Sequence, residues 1–166
     1  IFIPLAHRLG LYSVKSEMED IWLRYKEPEA FNEITAQINR NVSDKDNKID
    51  EFIAPITESL KKAGFNFEIK KRVKTPYSIW NKMITKGVSF EQIYDLYAVR
   101  IIFDPIESNE TERDMCYHIF SIITGMYKYK ADRVRDWVNA PKNNGYEALH
   151  CTLMSQTGIW IEVPNR

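Results

Sequence analysis

The sequence has few cysteines, no net charge and no long apolar run. Its 166 residues include two cysteines, and 23 basic side chains balance 23 acidic ones. Two cysteines form neither a disulfide framework nor a CxxC metal pair, which favours a reducing compartment and predicts the cytoplasm. No apolar run approaches the roughly 18 residues of a membrane span, so no membrane partner is expected. Zero net charge excludes a general attraction to polyanions.

The balanced total hides a segregation of charge along the chain. Residues 61–86 carry eight basic side chains against the single acid Glu68, whereas residues 1–60 and 87–127 are both acidic overall. The eight basic residues are Lys61, Lys62, Lys70, Lys71, Arg72, Lys74, Lys82 and Lys86. Such a segment is typical of a solvated basic face or of a site for a polyanion.

The hydrophobic period changes near Gly64. Before it, two sets of apolar residues recur at steps of three and four and predict helices. They are Leu11, Val14, Met18, Ile21 and Tyr25, and then Ile49, Phe52, Ile53, Ile56 and Leu60. After Gly64, Phe65, Phe67 and Ile69 alternate with polar residues, which predicts a strand. We therefore expect a helical domain over residues 1–63 and a second domain over residues 64–166.

The second domain is predicted to mix helices and strands. Thr75 and Pro76 begin a predicted helix that Gly87 ends, and FEQIYD forms a short helix after Ser89. Residues 110–127 form a further helix that buries Cys116, while LYAVRIIFD, YEALHCTLM and IWIEV are strands. This order predicts an α+β fold, with a mixed β-sheet flanked by helices and preceded by a small helical segment. The opening IFIPLAHRLG lacks a Met, and we expect a piece of a longer protein.

A first group of candidate site residues lies around the predicted helix 75–87. Lys74, Ser78 and Lys82 are spaced at i, i+4 and i+8, which places them on one helix face. Arg72 precedes them, and the helix N-terminus adds a partial positive charge. These groups suit a polyphosphate held mainly by side chains, because the chain has neither GxxxxGK[ST] nor GxGxxG.

Two carboxylates form a second group. Glu162 lies within the apolar strand IWIEV, and Asp95 lies where a short helix meets a strand. A carboxylate in such a strand is costly unless it is paired or binds a metal, and two acids beside a polyphosphate site suggest Mg²⁺. The alternative is that Asp95 caps a helix or pairs with Arg100, and that Glu162 faces solvent.

A third group lies in DRVRDWVNAPKNNGYEALH. Arg135 and Lys142 precede the turn-forming NNG, and Tyr146 and His150 follow on the predicted strand, four residues apart on one face. A ring that stacks on a base and cations that meet phosphates suit a nucleotide. A structural histidine is the alternative for His150.

Four of these segments, in this order, resemble the synthetase region of the RelA/SpoT homologues. They are RVKTPYSIWNKM, FEQIYDLYAVRI, RVRDWVNAPKNNGYEALH and IWIEV. The resemblance implies a nucleotidyltransferase-like fold and Mg²⁺-dependent transfer of the ATP β,γ-pyrophosphate to the 3′-hydroxyl of GDP or GTP. Residues 1–63 would then be the helical linker between hydrolase and synthetase regions. The hydrolase and a C-terminal regulatory region of the parent chain would be partners.

The resemblance also implies roles for the candidate residues. Arg72 and Arg100 would sandwich the adenine, and Lys74, Ser78 and Lys82 would hold the ATP phosphates. Asp95 would bind Mg²⁺, and Glu162 would assist the metal and take the proton of the 3′-hydroxyl. Tyr146 would stack on guanine, and the acceptor nucleotide would be contacted by Arg135, Lys142, Asn144 and His150.

The chain departs from the family pattern at two places that matter. Arg135 replaces the usual Lys of the basic RxKD loop, whose basic form suggests a bifunctional parent. Pro164 follows the last strand, and because Pro donates no hydrogen bond to a sheet, we expect that strand to end early. Two other functions stay open: a catalytically silent nucleotide-binding module, and an RNA-binding module using Lys70, Lys71 and Arg72. Direct binding of nucleic acid is not expected.

Overall fold

The computed structural model describes residues 2–93, 96–104, 111–143 and 145–166, without the side chains of residues 41–46. Its contacts divide the chain into two compact units. The first unit comprises Ile1–Lys45 and Lys74–Ile93, and the second comprises Asp46–Val73 and Tyr94–Arg166. The predicted boundary near Gly64 stays a prediction. No helix in the described ranges is long and apolar enough to span a bilayer.

The chain begins with three helices: α1 (Phe2–Arg8), α2 (Tyr12–Lys26) and α3 (Pro28–Lys62). The first unit also contains α4 (Pro76–Lys86) and a 3₁₀ turn at Phe90–Gln92. Between α2 and α4, the Trp22 ring lies 6.0 Å from Tyr77 and 5.8 Å from Trp80. Asp20 accepts a 2.9 Å hydrogen bond from the Tyr77 amide. These contacts hold α4 against α2.

The helix predicted from the first apolar set is confirmed as α2, but most of that set does not form the packed face of the helix. Val14, Ile21 and Tyr25 are exposed, and Leu23 and Glu19 are the buried residues of this helix. Lys15 pairs with Glu19 at 2.5 Å one turn away, so the acid is buried with a partner. These recurring apolar residues therefore lie on an exposed face of the helix and not on its packed face.

The α4 prediction is confirmed at both ends. The Thr75 side chain accepts a hydrogen bond from the Ser78 amide, Pro76 occupies the first helical position, and Gly87 closes the helix with φ 61°. Lys74, however, precedes the N-cap. The helical spacing therefore relates only Ser78 and Lys82, and Lys74 belongs to the connection before the helix.

The second unit is built on a five-stranded sheet. Its strands are β1 (Phe67–Val73), β2 (Tyr97–Phe103), β3 (Arg135–Asp136), β4 (Leu149–Met154) and β5 (Trp160–Asn165). They are ordered β1-β2-β5-β4-β3. Only β2 and β5 pair in parallel, and the other neighbouring pairs are antiparallel. The sheet is mixed, as predicted.

One face of this sheet lines the hydrophobic core of the unit. It packs against α5 (Glu112–Met126), and a 3₁₀ turn at Ala131–Arg133 precedes β3. The C-terminal half of α3 contacts Tyr127, which follows α5, and Lys71 of β1. The buried side chains include Ile49, Phe52, Ile56, Leu60, Val99, Ile101, Ile119, Ile123, Cys151, Leu153, Ile161 and Val163. The Tyr127 hydroxyl donates to the Phe52 carbonyl at 3.1 Å. The predicted stripes of α5 and of the second half of α3 are confirmed, as is the buried Cys116.

Three predicted boundaries need correction. Tyr146 precedes β4, which begins at Leu149. Within the described residues of FEQIYD, the helical part is the 3₁₀ turn Phe90–Gln92, which Ser89 caps. The early end of the last strand at Pro164 is wrong, because β5 continues to Asn165 and the Arg166 amide donates to the Ile101 carbonyl at 3.1 Å. The fixed φ of proline suits extended backbone, and the ladder resumes after it.

Candidate active site

The candidate residues on the strands of the second unit lie on the sheet face opposite the core. Register pairs Arg72 with Ala98, Ala98 with Glu162, and Glu162 with Thr152. Because paired residues and residues two apart share a face, this face also carries Arg100, His150 and Arg135. The buried side chains of β2 alternate with these at Tyr97, Val99, Ile101 and Phe103. The sheet thus collects residues that are far apart in sequence.

Glu162 lies on β5, between β2 and β4. Its side chain is 32% exposed, and its Oε1 lies 3.0 Å from Nδ1 of His150. Its register partners are the small residues Ala98 and Thr152. This strand acid is therefore half-buried and paired with a histidine.

His150 connects Glu162 to Tyr146. Its Nε2 lies 2.9 Å from the Tyr146 hydroxyl, while Nδ1 faces the carboxylate. A carboxylate only accepts, so the contact with Glu162 assigns a proton to Nδ1, and in this tautomer Nε2 accepts from the phenol. Burial raises the pKa of Tyr146, which keeps the hydroxyl protonated as this arrangement requires.

Lys142 lies between two aromatic rings. Its Nζ is 4.7 Å from the centroid of Trp137 and 5.1 Å from that of Tyr146. The Arg166 guanidinium lies 5.8 Å from the same Tyr146 ring. Sequence reasoning did not select Trp137, although its place beside the basic RVRD segment is a signal for a second stacking ring. The Tyr146 ring is therefore surrounded by cations and a neighbouring aromatic.

Arg135 is held by its own loop. Its Nη1 donates to the carbonyls of Asp132 and Val134, each at 2.9 Å. Both acceptors are neutral, so an anionic phosphate would compete for the guanidinium with a stronger, charge-assisted bond. The register places Arg135 opposite His150, at the β3 edge of the sheet.

Arg72 and Arg100 lie on adjacent strands, at diagonal positions. Arg72 pairs with Ala98, two residues from Arg100. Diagonal neighbours in an antiparallel pair are about 7–8 Å apart, which leaves space for one planar ring between two guanidinium groups. Arg100 Nε is buried and has no hydrogen-bond partner in the described part of the chain.

Ser78 and Lys82 lie on α4 of the first unit, and Lys74 precedes it. The Thr75 hydroxyl donates to the Ser78 hydroxyl at 2.9 Å, at the helix N-terminus. Ser78, Lys74 and Lys82 are each half-buried. This end of α4 presents a hydroxyl, capped amides and basic side chains.

Asp95 and Asn144 lie outside the described residues, so their predicted roles stay predictions. Within the described ranges, no three His, Cys, Asp or Glu side chains form a group that could hold a metal. The strand adjacency on which the Asp95–Glu162 pairing depends is present, since β2, which follows Asp95 in sequence, lies beside β5. Carboxylate oxygens are the ligands that Mg²⁺ prefers, and Glu162 supplies such a group on this face of the sheet.

The family model described as "Region found in RelA / SpoT proteins" matches residues 71–166. The chain belongs to the RelA/SpoT family. GTP pyrophosphokinase of Escherichia coli strain K12 is 32% identical over 166 residues, which are 100% of this chain and 21% of that protein. The bifunctional (p)ppGpp synthase/hydrolase SpoT of the same strain is also 32% identical, over 100% of this chain and 23% of its own length. The chain thus spans about a fifth of these curated relatives.

One crystal structure shares the fold of this chain. Small alarmone synthetase 1 from Bacillus subtilis, bound to its product pppGpp, superposes with a TM-score of 0.52 and 18% identity. The match covers 79% of this chain and 73% of that one. The predicted α+β fold of the RelA/SpoT synthetase type is confirmed by the sheet and this likeness.

Proposed function

We propose that this RelA/SpoT chain is the (p)ppGpp synthetase region of a longer protein. It would transfer the β,γ-pyrophosphate of ATP to the 3′-hydroxyl of GDP or GTP. The observation that carries this proposal is the single sheet face with Arg72, Arg100, Glu162, His150 and Arg135. The names of the E. coli relatives support the same reaction.

In the proposed reaction, Glu162 accepts the proton of the 3′-hydroxyl. A bond forms between the 3′-oxygen and the β-phosphorus of ATP, the bridge between the α- and β-phosphates breaks, and AMP leaves. The 3.0 Å contact with His150 holds the carboxylate in one orientation, so little reorganisation is needed when the hydroxyl arrives. The reaction concentrates negative charge and needs cations and positioning, without a protein nucleophile.

The donor side is assigned to Arg72 and Arg100 for adenine, and to Lys74, Ser78 and Lys82 for the ATP phosphates. The diagonal spacing of the two arginines and the buried Arg100 Nε support a planar ligand there. Asp95 and Glu162 would hold Mg²⁺, which when bound neutralises charge on the phosphates.

The acceptor side is assigned to Tyr146, Lys142, Arg135, Asn144 and His150. Tyr146 stacks on guanine in this proposal, and Trp137, on the other side of Lys142, is a second ring for the same base. Lys142 and Arg135 meet its phosphates.

The exposed apolar side chains of α1, of the turn after it and of the start of α2 support contact with another domain of the parent chain; they include Phe2, Leu5, Leu9 and Tyr12. The cytoplasmic location is proposed from the free thiols of Cys116 and Cys151.

The direct test uses ATP labelled on its γ-phosphate. The protein is incubated with this ATP, GDP or GTP and Mg²⁺, and the nucleotides are separated by thin-layer chromatography. We expect labelled ppGpp or pppGpp, and none when the acceptor or Mg²⁺ is omitted. A folded protein that binds both nucleotides and forms no labelled guanosine product contradicts the proposal and identifies a silent binding module.

A further inference from the structure

One hydrogen bond joins α5 to the loop that carries the acceptor-side residues. The Tyr117 hydroxyl donates to Oδ2 of Asp136 at 2.5 Å, and both side chains are half-buried. Tyr117 lies in the middle of α5, and Asp136 is the second residue of β3. Neither belongs to the residues assigned above to a substrate.

The helix side of this bond is rigid. Met115, Cys116, Ile119 and Ile123 are buried against the sheet, so the backbone around Tyr117 is fixed by packing. The Arg113 guanidinium lies 5.8 Å from the Tyr117 ring centroid, one turn earlier on the same helix. The phenol therefore reaches the loop from a well-anchored position.

The loop side of the bond is organised by Asp136. Its Oδ1 accepts from the Asn139 amide at 2.8 Å, which fixes the turn that follows β3. Burial acts to raise the pKa of Asp136, but the hydrogen bonds from Tyr117, Asn139 and Val138 outweigh it and lower that pKa. The carboxylate is thus ionised near neutral pH and holds both the helix and the turn.

Arg135 immediately precedes this carboxylate, and Trp137 follows it and contacts Lys142. A shift of Asp136 would move all three side chains together. We propose that Tyr117 is a positioning residue for the acceptor nucleotide, acting through Asp136 to fix the loop that bears Arg135, Trp137 and Lys142. This inference rests on the proposed synthetase function and adds a determinant of acceptor affinity.

The test compares Tyr117→Phe with the wild-type protein. Loss of the hydroxyl is expected to raise the KM for GDP about tenfold, with the KM for ATP unchanged and kcat at saturating GDP within about twofold. Tyr127→Phe is the matched control, because it also removes one tyrosine hydrogen bond, to the Phe52 carbonyl, away from the loop. The control is expected to retain the wild-type KM for GDP. A kcat loss in Tyr117→Phe without a change in KM overturns the inference.

Calorimetric titration with GDP gives a second readout that needs no turnover. Tyr117→Phe should weaken GDP binding about tenfold, and this effect should shrink to less than about twofold in an Asp136→Ala background, where the partner is absent. An undiminished effect in that background, or unchanged GDP affinity in Tyr117→Phe, overturns the inference. If the wild type forms product while Tyr117→Phe binds GDP normally, the inference about Tyr117 is wrong and the proposed function stands. If the wild type binds GDP and forms no product, the proposed function fails, and the titration still decides the role of Tyr117.

Discussion

The Nδ1 atom of His150 lies 3.0 Å from Oε1 of Glu162, across the antiparallel pair β4 and β5. The register pairs His150 with Pro164 and Glu162 with Thr152, so the contact is diagonal. It orients the carboxylate and sets the imidazole tautomer, and through the tautomer it determines the acceptor for the Tyr146 hydroxyl. The proposed base and the proposed stacking ring are therefore linked by one histidine.

Glu162→Gln is expected to lower kcat by about 10²–10⁴-fold, because the amide keeps the shape of the side chain and cannot accept the 3′-hydroxyl proton. The affinity for GDP, measured by calorimetry, should stay within about threefold. Glu58→Gln is the control, since Glu58 is an exposed acid paired with Lys62 at 2.7 Å on α3. Equal product formation by Glu162→Gln and the wild type would show that Glu162 is not the base.

Arg72 and Lys71 are adjacent cations on opposite faces of β1. Lys71 pairs with Asp50 at 2.9 Å on the α3 side, whereas Arg72 lies on the face with Glu162. Arg72→Ala should therefore raise the KM for ATP about tenfold or more, through loss of a cation stacked on adenine. Lys71→Ala removes the same formal charge and should leave that KM within about twofold. Equal effects of the two variants would mean that net charge, and not placement, attracts ATP.

Sequence periodicity correctly predicted the helices and strands in which one face is fully buried and the other is not. In β2 every second residue is buried, and in α5 the buried side chains follow the helical repeat. In α2 it predicted the helix but did not identify the packed face, because Val14, Ile21 and Tyr25 are exposed and the buried positions include the paired acid Glu19. It also missed β3, because two residues, Arg135 and Asp136, carry no pattern and depend on their pairing with β4.

The sequence allowed the candidate site residues to be selected, but it did not predict which of them contact each other. Alternation along each strand placed Arg100, His150 and Glu162 on defined faces, but strand order decided which of them meet. The contact of His150 with Glu162 requires β4 beside β5, and the Trp137–Lys142–Tyr146 arrangement requires the path of a loop. Neither is encoded by local spacing, because both depend on non-local pairing.

The two thiols should be unreactive in the folded protein. Burial, with smaller contributions from Glu112, Glu147 and Asp136, raises the pKa of Cys116 to about 11, and burial raises that of Cys151 to about 12. At pH 8 the thiolate fraction of Cys116 is then about a hundredfold below that of a thiol with the ordinary pKa of 9.0. We expect slow modification of both by Ellman's reagent in buffer and rapid modification in urea. Rapid labelling of either thiol in the folded protein would contradict this.

The raised pKa of Cys151 also predicts that the free energy of unfolding falls at alkaline pH. The folded state binds the Cys151 proton more tightly than the unfolded state, whose thiol has the ordinary pKa of 9.0. This contribution is complete below pH 9 and is lost as the pH rises towards 12. The free energy of unfolding of the wild type, measured with urea at pH 8 and pH 10.5, should therefore fall relative to that of Cys151→Ala. A difference that does not change with pH would show that the thiol has the same pKa in both states.

Asn165, at the end of β5, is fully buried, and its Nδ2 and Oδ1 have no hydrogen-bond partner in the described part of the chain. A buried amide without partners costs stability, so Asn165→Leu, which keeps the number and the branching of the side-chain heavy atoms, should raise the free energy of unfolding by about 1–3 kcal/mol. Asn165→Asp buries a charge at the same place and should lower it. Urea unfolding with an unchanged m-value provides the measurement. Destabilisation by both substitutions would show that the amide is paired. Stabilisation by Asn165→Leu together with destabilisation by Asn165→Asp would show that the buried amide lowers the stability of the wild-type protein.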